Sequence, residues 1–330
     1  MNKLTTIMFS CLLLIFQTEA QEIFEEQNDQ FVRSLDGSYV RGLLFLQSTQ
    51  NEDGSWSDTS YGAQPGVIGM AILAFLSRGD DPEFGTFAKA LKKAVQQILN
   101  QQNKKTGYIG TTMYNHGFAT LALAEYYGLT NDTRIGPALK NATNLIVSAQ
   151  KANPKGAWRY SPESKDGDTT VTGAQMVALF AARNAGIEVP DDAISKGKKF
   201  LLECQDERGG FGYTGNSGAN LPRTAIGSLI LALDKDTESD AFKNSIEYLR
   251  ENARFGDQGH KFYSLYYTAQ AMFRSTPEDW KKWNFENVQK LQATQAENGS
   301  WNGNYGTTFT TSAALLSMAL NYRYLPIYER

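Results

Sequence analysis

Gln50-Asn51-Glu52-Asp53-Gly54-Ser55-Trp56 is a phrase that returns along the whole chain. An apolar helical run ends in Gln, a short polar loop follows, and Gly then leads into an aromatic residue. The phrase recurs as Gln102…Gly107-Tyr108, Gln150…Gly156-Ala157-Trp158, Gln205…Gly210-Phe211 and Gln295…Gly299-Ser300-Trp301. A weaker copy near Asn252…Gly256 lacks both the Gln and the aromatic. From Gln50 to Gln295 the period is about 49 residues, room for one helix pair per repeat.

The two helices of each repeat differ in character. The first precedes the Gln, as in Phe87 to Gln101, Ile135 to Gln150, Asp191 to Gln205, Ala241 to Asn252 and Asn287 to Gln295. Apolar positions there recur at steps of three and four, as in Ile194, Leu201 and Leu202, with Lys196, Lys198 and Lys199 between. Pro190-Asp191-Asp192 and Pro277-Glu278-Asp279 place proline and acids where helices begin. The second helix follows the glycine loop: Val67 to Leu76, Gly117 to Tyr127, Val171 to Ala185, Thr224 to Leu233, Tyr263 to Phe273 and Phe309 to Leu320. These stretches are almost uncharged, and a helix apolar on nearly all sides is buried on nearly all sides.

Six polar-faced helices outside and six apolar ones inside predict an all-α fold, an (α/α)6 toroid of helical hairpins. The alternative is an open superhelix. An open array needs polar end repeats, whereas Thr310 to Leu316 in the last repeat is as apolar as the internal ones. The expectation is a closed ring forming a single domain over residues 21–330.

Residues 1–20 read as a signal peptide. Lys3 gives a positive start, Ile7 to Phe16 is mostly apolar, and Thr18-Glu19-Ala20 offers small residues for cleavage. The apolar run is short for a membrane span, and no later segment approaches about 18 uninterrupted apolar residues. The mature chain is therefore expected to be secreted or periplasmic, without stable membrane insertion. Cleavage leaves one cysteine, Cys204, which rules out an intrachain disulfide and a cysteine-rich zinc site. Its place in the run Lys198 to Gln205 suits a small buried filler. A net charge of -3 with both signs interspersed gives no argument for nucleic acid.

The repeat residues resemble those of the prenyltransferase and squalene-cyclase repeat family, in whose cyclases the repeat is known as the QW motif. Here it reads Gln50-x-x-x-Gly54-x-Trp56 and Gln295-x-x-x-Gly299-x-Trp301. The resemblance covers roughly residues 30 to 325 and implies the same toroid. Asp168-Thr169-Thr170-Val171-Thr172-Gly173, and Tyr266-Tyr267-Thr268-Ala269-Gln270 followed by Trp280 and Trp283-Asn284, are most similar to secreted bacterial members without an assigned activity. Read physically, the repeat residues are structural: Gln can bond exposed backbone and pack on an indole, and Gly supplies the left-handed conformation that ends the first helix.

In a toroid the N-termini of the inner helices gather at one mouth, with their partial positive charge and free N–H groups. The residues just before them are the candidates for a site. They include Tyr61, Gln64, Tyr114, Asn115, His116, Arg159, Tyr160, Asp166, Asp168, Thr169, Tyr213, Asn220, Arg223, His260, Tyr263, Tyr266 and Tyr305, with Tyr267 and Phe309 as further aromatic lining. Both histidines of the chain fall in this set. The opposite mouth collects Leu233-Asp234-Lys235 and Phe273-Arg274, which read as ordinary solvated turns.

Asp166-Gly167-Asp168-Thr169-Thr170 is similar to the Asp-x-Asp-Asp-Thr motif of triterpene cyclases, whose central acid starts cyclisation. Asp166, Asp168 and Thr170 match it, and Thr169 replaces the last acid. Two close carboxylates can split their pKa values and keep one protonated. Asp168 can equally cap the helix that follows. Asp166, Asp168 and His116 are the catalytic candidates. Tyr114, Asn115, Arg159, Tyr160, Arg223, His260, Tyr263, Tyr266 and Tyr305 are the ligand-binding ones.

No metal or cofactor is expected. The family's zinc prenyltransferases use Asp, Cys and His, and Cys204 ends an outer helix on the wrong side of its repeat. The Gly-Cys-Gly-Glu-Gln thioester of complement-like relatives is absent. Three functions stay open: a pocket for an apolar, terpenoid-like ligand with or without acid chemistry, a glycan-active hydrolase or lyase, and a scaffold holding a protein partner in its concavity.

Overall fold

The computed structural model describes residues 29–58, 61–253 and 260–328. The expected signal peptide and Gly256 of the weak repeat lie outside the described residues. Twelve α-helices alternate along the chain. The outer ones are α1 (Asp29–Ser48), α3 (Ala88–Gln101), α5 (Ile135–Lys151), α7 (Asp191–Glu203), α9 (Asp240–Asn252) and α11 (Pro277–Thr294). The inner ones are α2 (Pro65–Ser77), α4 (Met113–Tyr127), α6 (Thr169–Asn184), α8 (Leu221–Leu233), α10 (Lys261–Phe273) and α12 (Thr307–Ala319). No β-sheet occurs among the described residues; two isolated bridges, Gln102 with Ile109 and Gln205 with Phe211, close repeat loops.

The contrast between the layers follows the sequence. Every residue of α2 is buried. In α3 only Ala88, Ala90, Leu91, Ala94, Val95, Ile98 and Leu99 are buried, one stripe at helical spacing. Each inner helix packs on the next, α2 on α4 and so on to α10 on α12, and α12 packs back on α2. The ring is closed. At Gly69 in α2 an added Cβ would lie 2.7 Å from the Phe118 carbonyl oxygen of α4, so only glycine admits that approach. Helix α11 begins at Pro277 rather than near Asn287, so Trp280 and Trp283 belong to it.

The repeat residues form one staple, used five times. Each glutamine amide donates to its own loop glycine carbonyl and to a carbonyl on the next outer helix, at 2.8–3.2 Å. Gln50 reaches Ala90, Gln102 reaches Ala138, Gln150 reaches Ala193 and Gln205 reaches Ala241. Gln295 reaches Ser38 of α1 and so ties the last hairpin to the first. The loop glycines take φ between 63° and 90°. They do not end the helix, as the sequence suggested, but stand five or six residues past it. A Cβ on Gly54 would lie 2.2 Å from the Lys93 carbonyl oxygen of the next outer helix, which explains the residue's place. In the fourth copy the residue in this conformation is Gly209, not Gly210. Trp56, Trp158 and Trp301 are buried, and each indole donates at 2.8 Å to a carbonyl of the preceding outer helix. Cys204 is free and buried at the end of α7, and burial pushes its thiol pKa up.

After α12 the chain folds under the ring. The 3-10 turn Pro326–Tyr328 packs against α6, the inner helix opposite α12, and Leu325, Ile327 and Tyr328 are buried. Tyr328 sits in the electrostatic environment of Tyr39, Tyr266, Ser77 and Glu125. Arg274 donates to the Ile327 carbonyl and is 7% exposed. The C-terminal mouth is therefore plugged, and Phe273-Arg274 is not the solvated turn that the sequence suggested.

Candidate functional site

The opposite mouth holds a cavity of about 720 Å³. It is built from the starts of the inner helices, each fixed by its cap. Thr112 caps α4 through the Asn115 N–H, Asp168 caps α6 through the Thr170 and Val171 N–H groups, and Asn220 caps α8 through the Arg223 N–H. At α12 the capping acceptor comes from the first repeat, where Asp58 takes the Thr308 N–H. Asn115 joins α4 to α2: its amide donates to Gln64 Oε1 at 2.8 Å and its oxygen accepts from the Gly66 N–H at 3.2 Å.

Of the ligand-binding candidates, Tyr114, Asn115, Tyr160, Arg223, His260, Tyr263 and Tyr305 line the cavity, as do Tyr61, Gln64, Tyr213, Asn220 and Phe309. The rings form two facing walls. On the α4–α6–α8 side, Tyr160 and Tyr213 share a hydroxyl–hydroxyl contact of 2.7 Å, and Tyr114 packs on Tyr160. On the α10–α12–α2 side, Tyr305 Oη lies 2.5 Å from His260 Nδ1, and its ring meets Tyr61 and Phe309 edge-on.

Arg159 stands behind the first wall rather than in the lining. Its guanidinium lies 5.8 Å from the Tyr160 ring and 5.7 Å from that of Tyr213, and it pairs with Asp166. Tyr266 and Tyr267 are also outside the lining. Both are buried one layer deeper, Tyr266 packing against Phe118.

The catalytic candidates are not gathered in the cavity. Asp166 is exposed and held by Arg159. Asp168 is fully buried: its Oδ1 accepts from Thr170 and Val171, and its Oδ2 has no hydrogen-bond partner and lies 4.0 Å from Arg159 Nε. Burial raises its pKa, against those hydrogen bonds and the charge of Arg159. His116 is fully buried and turned toward the outer layer. Its Nδ1 accepts from the Ile109 N–H at 3.1 Å and its Nε2 lies 3.0 Å from the Ala142 carbonyl, so the ring is neutral with the proton on Nε2. Burial lowers its pKa to about 4. With both nitrogens held by backbone, His116 has none to offer a ligand.

Thr170 of the acidic motif also lines the cavity, as do Val67, Met70, Thr111, Thr112, Phe118 and Pro222, which were not singled out in the sequence. Phe118 and Met70 lie deeper along inner helices, past the helix starts that the argument followed. A large side chain in the Ala-rich run of α4 was the available signal for Phe118.

A family model described as "Domain of unknown function (DUF6288)" matches residues 41–327. The chain belongs to this family. Among solved structures, the DUF6288 chain is similar to the apo type II terpene cyclase MstE from Scytonema. The TM-score is 0.63 at 16% identity, over 89% of this chain and 99% of that one. The GH76A alpha-1,6-mannanase of Salegentibacter sp. HEL1_6 is similar with a TM-score of 0.66 at 10% identity, over 86% and 98%. No curated protein matches the chain. At such identities these likenesses show the fold, a terpene-cyclase-like (α/α) toroid. No helix among the described residues is long and apolar enough to cross a membrane.

Proposed function

We propose that this DUF6288 protein is exported and binds a small, largely apolar, terpenoid-like molecule in the open mouth of its ring. The observation that carries the reading is the lining: eight Tyr and Phe rings with Val67 and Met70, and no Asp or Glu among the described residues around the cavity. Pockets for small apolar molecules have this composition, with a few polar groups to fix orientation. The fold accommodates two kinds of ligand in its relatives. One MstE variant was solved with geranylgeranyl dihydroxybenzoate, and one variant of the mannanase with alpha-1,6-mannotriose. Hydrolysis of a glycan by the usual route uses two carboxylates facing the scissile bond. Three carboxylates stand at this mouth without lining the cavity: Asp166 is exposed and ion-paired, Asp168 is the buried cap of α6 and Asp58 is the cap of α12. That argues for binding over hydrolysis, and for Asp168 as a structural cap over a proton donor.

Lipid extraction of the purified protein followed by mass spectrometry tests the reading, together with displacement of an apolar fluorescent probe by C15 and C20 isoprenoids. A co-purifying or displacing isoprenoid supports it. Degradation of a polysaccharide without any isoprenoid binding overturns it. Export is checked by N-terminal sequencing of protein recovered from the periplasm or medium, with Gln21 the expected first residue.

A further inference from the structure

Several arginines of this protein are matched by acids. Arg78 pairs with Asp36 and Asp80, Arg134 with Asp132, Arg159 with Asp166, Arg183 with Asp191 and Arg250 with Asp279. Arg223 is different. It is half-buried in the first turn of α8 and is the one Arg or Lys among the described residues lining the cavity. One amino group donates to the Gly218 carbonyl, and the guanidinium lies 5.7 Å from the Tyr213 ring. Its Nε is buried without an acceptor. Among the described residues no carboxylate forms an ion pair with it; Asp168 acts on it only as a more distant charge. A desolvated guanidinium without a counter-charge is costly, and desolvation does act against its charged form here. Tyr263, on α10 of the facing wall, also lines the cavity, and its buried hydroxyl interacts with those of Tyr114 and Tyr267.

We propose that the ligand of this cavity is an apolar carboxylic acid, whose carboxylate is bound by Arg223 while its hydrocarbon body extends toward Met70 and Phe118. The proposal rests on the apolar-ligand reading above and adds the head group to it. A guanidinium fork matches a carboxylate in shape and charge. One unmatched guanidinium suits a singly charged head better than a diphosphate, which carries several charges.

The test is titration calorimetry of the purified full protein with three probes on one chain, farnesoic acid, farnesol and farnesyl diphosphate. Wild type is expected to bind the acid at least about tenfold more tightly than the alcohol, the discrimination that a charge-assisted hydrogen bond supplies. Arg223→Gln should reduce acid binding to the level at which the same variant binds the alcohol. Arg223→Lys, which keeps the charge, should retain part of the preference and covers the case in which the Gln variant misfolds. Equal binding of acid and alcohol by wild type overturns the carboxylate and leaves the apolar pocket standing. Tighter binding of the diphosphate overturns the singly charged head. Failure of all three to bind defeats the pocket reading as well.

Discussion

The two mouths of the ring are made by the same twelve helices and are finished in opposite ways. The N-terminal mouth is open, walled by tyrosines and ringed by capped helix starts. The C-terminal mouth is filled by the chain's own end, with Tyr328 buried at its centre and Arg274 bonded to the Ile327 carbonyl. At the closed end Arg274 is bonded to backbone carbonyls, while the buried side-chain amide of Gln270 has no hydrogen-bond partner. At the open end, Arg223 Nε and one oxygen each of the capping acids Asp58 and Asp168 have no hydrogen-bond partner. One end is filled by protein and the other keeps an open cavity, so the proposed ligand is assigned to the open end.

The sharpest way to break this comparison is to remove the plug. Tyr328→Ala deletes a fully buried ring and should cost about 3–5 kcal/mol in denaturant unfolding, with probe binding at the other mouth unchanged below the transition. Loss of binding in the folded variant would mean that the two mouths are not separate. His116 comes next. Its folded pKa of about 4 lies below the unfolded 6.5, so the unfolded chain takes up the proton first as pH falls. Its stabilisation is therefore complete above pH 6.5 and is lost on descending to about pH 4, a change of about 3 kcal/mol. Unfolding curves across this window check it, with His116→Gln expected to flatten the dependence. Activity or binding that follows this titration with the fold intact would return His116 to the site.

Gln102→Ala removes one staple from the rim of the open mouth. It loses two hydrogen bonds and should cost about 1–2 kcal/mol. The smallest effect is expected at Asp168. Asn caps a helix about as well as Asp, and burial already opposes the charge, so Asp168→Asn should change stability by less than about 0.5 kcal/mol. Asp168→Ala should cost about 1–2 kcal/mol, because the cap itself is gone. If Asp168→Asn abolishes binding or turnover without a change in melting, the carboxylate belongs to the function.

The ring was legible because its determinants are local and repeated. A Gln, a Gly with positive φ and a buried Trp each need only the adjacent loop and the next helix, so they recur at fixed spacing. The mouth was legible for the same reason: inner-helix starts can be counted along the chain. The direction in which a side chain leaves its helix was harder to read. Asn115 and His116 are neighbours in sequence, yet one lines the cavity and the other points into the outer layer, a difference of about 100° around the helix. Arg159 and Tyr160, adjacent in the loop before α6, also diverge, one standing behind the wall and the other in the lining. The plug carried no repeat signature at all, since residues 320–328 make contacts found only once in the fold.

Four staples join neighbouring hairpins across 36 to 43 residues, but the fifth, from Gln295 to Ser38, spans 257. Closing so long a loop costs about 1.6 kcal/mol more in chain entropy than closing one of about 40 residues. Local hairpins therefore have every reason to assemble in sequence, and the seam between α11 and α1 to join last. Until it does, the apolar faces of α2 and α12 lack each other, and the growing arc is an open solenoid with two sticky ends. The order of assembly thus sets a hazard: two arcs meeting before either has closed would find the same surfaces, and the same glutamine, ready to join them head to tail.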